Sequence, residues 1–188
     1  VLRLGWTEKF KVKPEVEREQ IEVEMWRAIA ELARLKVSGE RRRIALSHPI
    51  LFGQVYFPEW FDLPTPGFHW QIVNMAVRSR RSAFALPVGT GKTVLLTKLT
   101  PVWSVFAEDM QETLLIGNSN EMASGWLDEM RIAMESSEAM REDFGEFRGT
   151  HWGSSELEFI FRDGRPHARR IIKARGKGCA IRGLHPDR

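Results

Sequence analysis

The chain has 188 residues, 43% of them hydrophobic, and a net charge of +3, which supplies one buried core with at most a small helical appendage beside it. A single cysteine, Cys179, excludes an intrachain disulfide and a cysteine-rich zinc site and fits a reducing compartment. No apolar run reaches the length of a membrane span and the opening VLRLGWTEKF lacks the pattern of a signal peptide, so a soluble, cytoplasmic protein without a membrane partner is expected. The chain starts at Val1 and stops at Arg188 on no evident boundary, and it is expected to be a piece of a longer protein.

In chain order, Pro14 followed by Ile21, Met25, Ile29, Leu32 and Leu35 predicts an amphipathic helix over residues 14–37, ended by Ser38-Gly39, with a Glu-rich face in solvent. Residues 47–70 mix aromatics with prolines, which predicts an ordered connection without long regular elements. A boundary is placed there, between an N-terminal helical segment, 1–46, and a second domain, 47–188. From Ser82 the pattern alternates: a strand at 83–88, a helix at 92–106, a strand at 113–116 and a helix at 121–135. Asn118-Ser119-Asn120 offers capping side chains for the second of these helices. Two further strands, 157–161 and 171–174, flank a turn at Asp163-Gly164. The alternation predicts an α/β fold, a largely parallel sheet flanked by helices, with ligands at the carboxyl ends of the strands.

Residues 162–188 carry nine Lys or Arg against Asp163 and Asp187, a run that reads as a face for phosphates or, more simply, as a solvated surface. Trp103, Trp126 and Trp152 are expected in or beside the core, and the five scattered histidines make no zinc site. Glu135 and Glu138 read as solvated carboxylates at a helix end.

The strongest motif is Leu86-Pro87-Val88-Gly89-Thr90-Gly91-Lys92-Thr93, set between a strand pattern and a helix pattern. Glycines at 89 and 91 let successive N–H groups converge on phosphate oxygens. Lys92 then reaches the β and γ phosphates, and the Thr93 hydroxyl holds Mg²⁺. Leu86 stands where such loops usually begin with glycine. Upstream, Gln71 in Phe68-His69-Trp70-Gln71 offers a donor and acceptors that match the edge of adenine, or it is simply a surface residue.

In its order of motifs the chain resembles the ATPase domain of phage large terminases, the motors that package DNA into capsids. The resemblance rests on His48-Pro49-Ile50-Leu51-Phe52, Phe68-His69-Trp70-Gln71, the loop ending in Gly91-Lys92-Thr93, and Leu115-Ile116-Gly117-Asn118-Ser119. It continues through Met140-Arg141-Glu142-Asp143-Phe144-Gly145 with Trp152, Ala174-Arg175-Gly176-Lys177-Gly178, and Ile181-Arg182-Gly183. It implies a P-loop NTPase that binds ATP and Mg²⁺, with copies of itself forming a ring around double-stranded DNA. It also implies a portal protein and a small terminase subunit as partners, in the host cytoplasm and transiently at the procapsid. Arg182 matches the arginine expected to act on a neighbouring subunit's nucleotide. Many terminases carry an arginine in the loop where this chain has Val88; Arg80 and Arg81 are the nearest substitutes. The family's acidic metal-holding strand, and a nuclease domain, are expected after Arg188, so the chain by itself is expected to bind ATP weakly and hydrolyse it poorly. Another helicase-like ATPase and a non-catalytic nucleotide-binding module are the alternatives.

Overall fold

The computed structural model describes residues 24–25, 27–32, 34, 37–61, 65–107, 110–161 and 169–178. Residues described between 24 and 34 are helical, as the apolar spacing predicts. The helical run is interrupted at Val37, next to the predicted stop, but Ser38-Gly39 opens a further helix rather than a loop. Val37 is extended, and a new helix, α1 (Ser38–Leu46), starts at the very residues read as the stop. The sequence SGERRRIAL has no apolar stripe, and α1 is held instead by tertiary contacts. Arg41 is buried against Asp143 and Glu142, and the Trp103 Nε1–H donates to the carbonyl of Leu46 at the helix end, 3.0 Å away.

The proline- and aromatic-rich stretch forms short elements, as expected: α2 (Pro49–Tyr56), a 3-10 turn (Pro58–Trp60) and the start of α3 (Gly67–Arg78). His48 opens α2, its Nδ1 accepting from the Ile50 N–H at 3.1 Å while its ring stacks on Trp70. Burial holds the His48 imidazole down to about pKa 4, an effect that nearby Asn74 opposes only in part and to which the Arg78 charge adds.

α4 begins as a π-helix, Thr93–Leu99, and continues as the α-helix Thr100–Ala107. The Thr100 N–H reaches five residues back to Leu95. Pro101 explains the widening, because in a regular α-helix its ring would collide with the carbonyl four residues earlier and it has no N–H to give.

The sheet comprises β1 (Glu112–Gly117), β2 (Arg148–Gly153), β3 (Glu156–Ile160) and β4 (Arg169–Gly176), in the order β1-β4-β3-β2. Among the described residues only β1 and β4 pair in parallel, from Glu112 opposite Ile171 to Gly117 opposite Gly176; β4 with β3 and β3 with β2 are antiparallel. The class is therefore α/β with an open mixed sheet, which corrects the largely parallel sheet expected. The difference comes from β3, which runs antiparallel to β4, and from β2, whose sequence RGTHWG has no apolar alternation and which extends the sheet from β3 with a bulge between Arg148 and Trp152. The Glu158 carboxylate holds that bulge, accepting from the N–H groups of Thr150 and His151 and from Arg169. The Arg169 contact, then these N–H donors, keep its pKa down at about 2.

A second correction concerns 83–88, which is not a strand. Ala83, Ala85 and Pro87 face outward while Phe84 and Leu86 are half-buried, so the segment keeps a strand's period of two, but none of the four described strands pairs with it. A ladder needs a neighbour, and Pro87 has no N–H to contribute.

α5 (Asn120–Ser136) and α6 (Glu138–Phe144) complete the fold; Ser119 and Ser137 cap them through their hydroxyls, the former as the sequence predicts. α5 lies on β4 and β1. At the carboxyl end of the parallel pair the Gly176 N–H donates to Asn120 Oδ1 at 2.6 Å, so close that a Cβ on Gly176 would fall 2.3 Å from the Asn120 nitrogen. Ala30 and Ala45, from the segment 1–46, belong to the same buried cluster as Phe52, Phe106, Leu127, Phe159 and Ile172. Trp103 is buried there, and Trp126 and Trp152 pack at its margin.

Over its described part the basic stretch is divided: Arg169 and Lys177 are exposed, as a solvated surface requires, while others are held by the fold. Arg170 is fully buried on the inner face of β4, over the Phe161 ring and donating to the Val105 carbonyl in the last turn of α4. Arg169 pairs with Glu158, and Lys173 with Glu112 at 2.6 Å. No helix among the described residues is long and apolar enough to cross a membrane.

Candidate functional site

The segment between the unpaired strand-like stretch and α4 turns sharply at Val88-Gly89, and its glycines take the left-handed conformations that the sequence requires of them. Gly89 has φ +83° and Gly91 φ +71°, regions in which any side chain is strained. The loop is braced from within. Thr90 Oγ1–H donates to the Pro87 carbonyl at 2.9 Å, and Lys92 Nζ donates to the same oxygen at 3.0 Å. Lys92 thus lies folded across its own loop, its ammonium on a carbonyl that an anion can displace.

The N–H groups of Gly89, Thr90 and Gly91 have no hydrogen-bond partner among the described residues. Three consecutive free donors, two positive-φ glycines and a lysine at the start of a helix concentrate partial positive charge in one short loop, which suits an anion. Val88 is almost fully exposed at the tip, and Thr93, the first residue of α4, is exposed with its hydroxyl unengaged among the described residues. A magnesium ion fits such a hydroxyl, a hard oxygen donor beside a phosphate site, though Thr93 supplies only one ligand.

Under the loop lies a cavity of about 470 Å³, within the range of small-molecule sites. Gly89, Thr90 and Gly91 form part of its wall; Trp60, Phe61, Phe68 and His69 form much of the rest. Elements upstream position these rings. The 3-10 turn presents Trp60, steadied by Lys98 5.7 Å from its ring centroid, and Lys98 in turn pairs with Glu129 of α5. Thr65, also in the wall, is held by Gln54 Nε2 at 3.0 Å. His69 reaches the loop directly: its Nε2 lies 2.8 Å from the Thr90 carbonyl. Burial lowers the His69 pKa, only partly offset by that hydrogen bond, so the ring is neutral near pH 7.

Among the residues that the sequence singles out, Pro87, Val88, Gly89, Thr90, Gly91, Lys92 and Thr93 are therefore contiguous in one loop and the helix start behind it. Gln71 is exposed on α3 and takes no part in the cavity wall, where its neighbours Phe68 and His69 stand. Arg80 and Arg81 are exposed ahead of the unpaired stretch. Arg182 lies outside the described residues, as does the turn at Asp163-Gly164. Sequence reasoning missed His69, Trp60 and Phe61; the clustering of aromatics in 47–70 was the available signal, but it does not say which ring meets the loop. Comparison of the chain with protein families, with curated proteins and with solved structures finds no match.

Proposed function

We propose that this chain binds the triphosphate of ATP, with Mg²⁺, at Pro87–Thr93, and that it is the nucleotide-binding part of a DNA-packaging motor of the large-terminase type. The observation that carries the nucleotide reading is the row of N–H groups at Gly89, Thr90 and Gly91, next to Lys92, that have no partner among the described residues. These donors bind phosphate oxygens; Lys92 leaves the Pro87 carbonyl for the β and γ phosphates, and Thr93 gives its hydroxyl to the metal. When bound, Mg²⁺ would supply charge neutralisation at the phosphates. The motor reading, with P-loop NTPase fold, ring assembly, double-stranded DNA, portal and small-subunit partners, is supported by the ordered motifs and is compatible with the α/β architecture. In it, Arg182 acts on the nucleotide of the next subunit.

A second reading, nucleotide binding without turnover in the chain as given, is favoured by one observation: no Asp or Glu lines the cavity, and none bonds to the loop among the described residues. Calorimetry with Mg²⁺-ATP tests the binding step. Saturable binding to the wild type that falls at least about tenfold in Lys92→Ala is expected, in line with the loss of a charge-assisted contact. Equal affinity in the two proteins would sink the reading. Steady-state phosphate release then separates the two versions: turnover abolished by Lys92→Ala supports the motor enzyme, and none supports binding alone.

A further inference from the structure

Resting on the phosphate reading of the loop, we infer that His69 is a positioning residue, which fixes the Thr90–Gly91 peptide plane and so aims the Gly91 N–H at the anion. A carbonyl only accepts hydrogen bonds, so contact between His69 Nε2 and the Thr90 oxygen at 2.8 Å requires the proton on Nε2. No peptide bond among the described residues is cis. In a trans peptide the C=O and the following N–H point in opposite directions, so holding the Thr90 oxygen toward His69 turns the Gly91 N–H away from it. Without that tether the plane is easily turned, because Gly91 at φ +71° has no side chain to resist rotation.

The imidazole is itself held. It sits in the first turn of α3, its backbone N–H on the Pro66 carbonyl at 3.0 Å, and Phe68 packs edge-on against it with ring centroids 4.4 Å apart. Its ring atoms would be 3.5 and 3.6 Å from a Cβ on Gly91, ordinary contact distance, so the ring backs the loop without forcing it. His69 touches no phosphate in this arrangement; it acts through one peptide bond of the loop.

The test uses the full chain with inorganic tripolyphosphate and Mg²⁺, which removes the base from the measurement. His69→Phe keeps a ring and loses the donor; His69→Gln restores an N–H donor on a side chain of similar reach. Binding about fivefold weaker in His69→Phe, recovering toward wild type in His69→Gln, is expected from the loss and return of one neutral hydrogen bond. In the ligand-free wild type, the ¹⁵N shifts of His69 should show the Nε2–H tautomer. Undiminished tripolyphosphate binding by His69→Phe, or a proton on Nδ1 in the free chain, overturns the inference. Equal binding by wild type and Lys92→Ala would instead bring down the phosphate reading and the ligand half of this inference with it, an outcome kept distinct by the tautomer measurement, which involves no ligand.

Discussion

Two regions of this molecule carry charge and treat it in opposite ways. Where α1, α2 and α6 meet, Arg41 Nε and Nη2 grip both oxygens of Asp143 at 2.8 and 2.7 Å, and the Tyr56 hydroxyl donates to the same carboxylate at 2.6 Å. Burial opposes the charge on Asp143, but Arg41, Tyr56 and Ser38 outweigh it and its pKa is lowered; burial, with the Asp143 bond, pushes Tyr56 up. Phe52, Phe106 and Phe144 surround the cluster with ring centroids 4.6 to 6.4 Å apart. At the loop, by contrast, Lys92 rests on a single carbonyl and three N–H groups have no partner among the described residues. A saturated cluster has nothing left to offer a ligand, whereas a preorganised set of unfilled donors has little to offer stability. The contrast separates scaffold from site.

The comparison breaks most visibly at Asp143. Asp143→Ala leaves Arg41 buried with, among the described residues, only the half-exposed Glu142 as acidic partner and orphans the Tyr56 hydroxyl, so a loss of about 3–5 kcal/mol in unfolding free energy is expected. Chemical denaturation reads this directly, and a loss below about 1 kcal/mol would mean that the cluster is no anchor.

A pH experiment probes the scaffold at His48. Its folded pKa of about 4 lies below the ordinary 6.5, so the unfolded chain binds the extra proton first. The stability contributed is therefore whole above pH 6.5 and is lost as pH falls toward 4, by about 3 kcal/mol at about 1.4 kcal/mol per pKa unit. The protonated ring also could not accept from the Ile50 N–H. His48→Asn retains an N-cap acceptor and removes the titration, so its melting temperature should vary less across this window; an unchanged slope counts against His48 as the titrating group.

Legibility in the sequence divides along the same line. The helix at 121–135, the strand at 113–116 and the strands at 157–161 and 171–174 are legible close to their observed bounds, because each is a local apolar pattern and the helix carries its own cap. The loop was readable too, since Gly-Thr-Gly-Lys-Thr carries its conformation in its own residues. What was not readable depends on partners distant in sequence. α1 buries an arginine whose acceptor lies 102 residues away, and Arg170 is core only because Phe161 and Val105 receive it. The stretch 83–88 has a strand's alternation but pairs with none of the described strands, which composition cannot reveal. His69 was invisible as a loop contact for the same reason: its bond to Thr90 spans 21 residues and leaves no periodic trace.

Gly176→Ala is expected to cost about 1–3 kcal/mol, less than Asp143→Ala, because the added Cβ meets the backbone of Ser119 and Asn120, which cannot turn aside like a side-chain end. The damage should be confined to the junction of β4 with α5, seen as faster amide hydrogen exchange at Gly176 and in the first turn of α5. Exchange that stays at the wild-type rate there would show that the close approach is not needed.

The smallest effect on stability belongs to the loop, and it sharpens the comparison best. Lys92→Ala removes one exposed contact to Pro87 and should change unfolding free energy by no more than about 0.5 kcal/mol. Gly89→Ala meets no neighbouring atom, yet it places a side chain at φ +83°, which costs about 1–2 kcal/mol if the loop holds its shape and less if the loop relaxes. Both substitutions should nonetheless abolish or sharply weaken triphosphate binding, the first by removing charge and the second by turning an N–H away. If Gly89→Ala lost stability as Asp143→Ala does while still binding triphosphate, the loop would be part of the scaffold and the division drawn between the two regions would be wrong. If it kept its fold and lost the anion, the donors left unpaired in the free protein would be accounted for by the ligand they wait for.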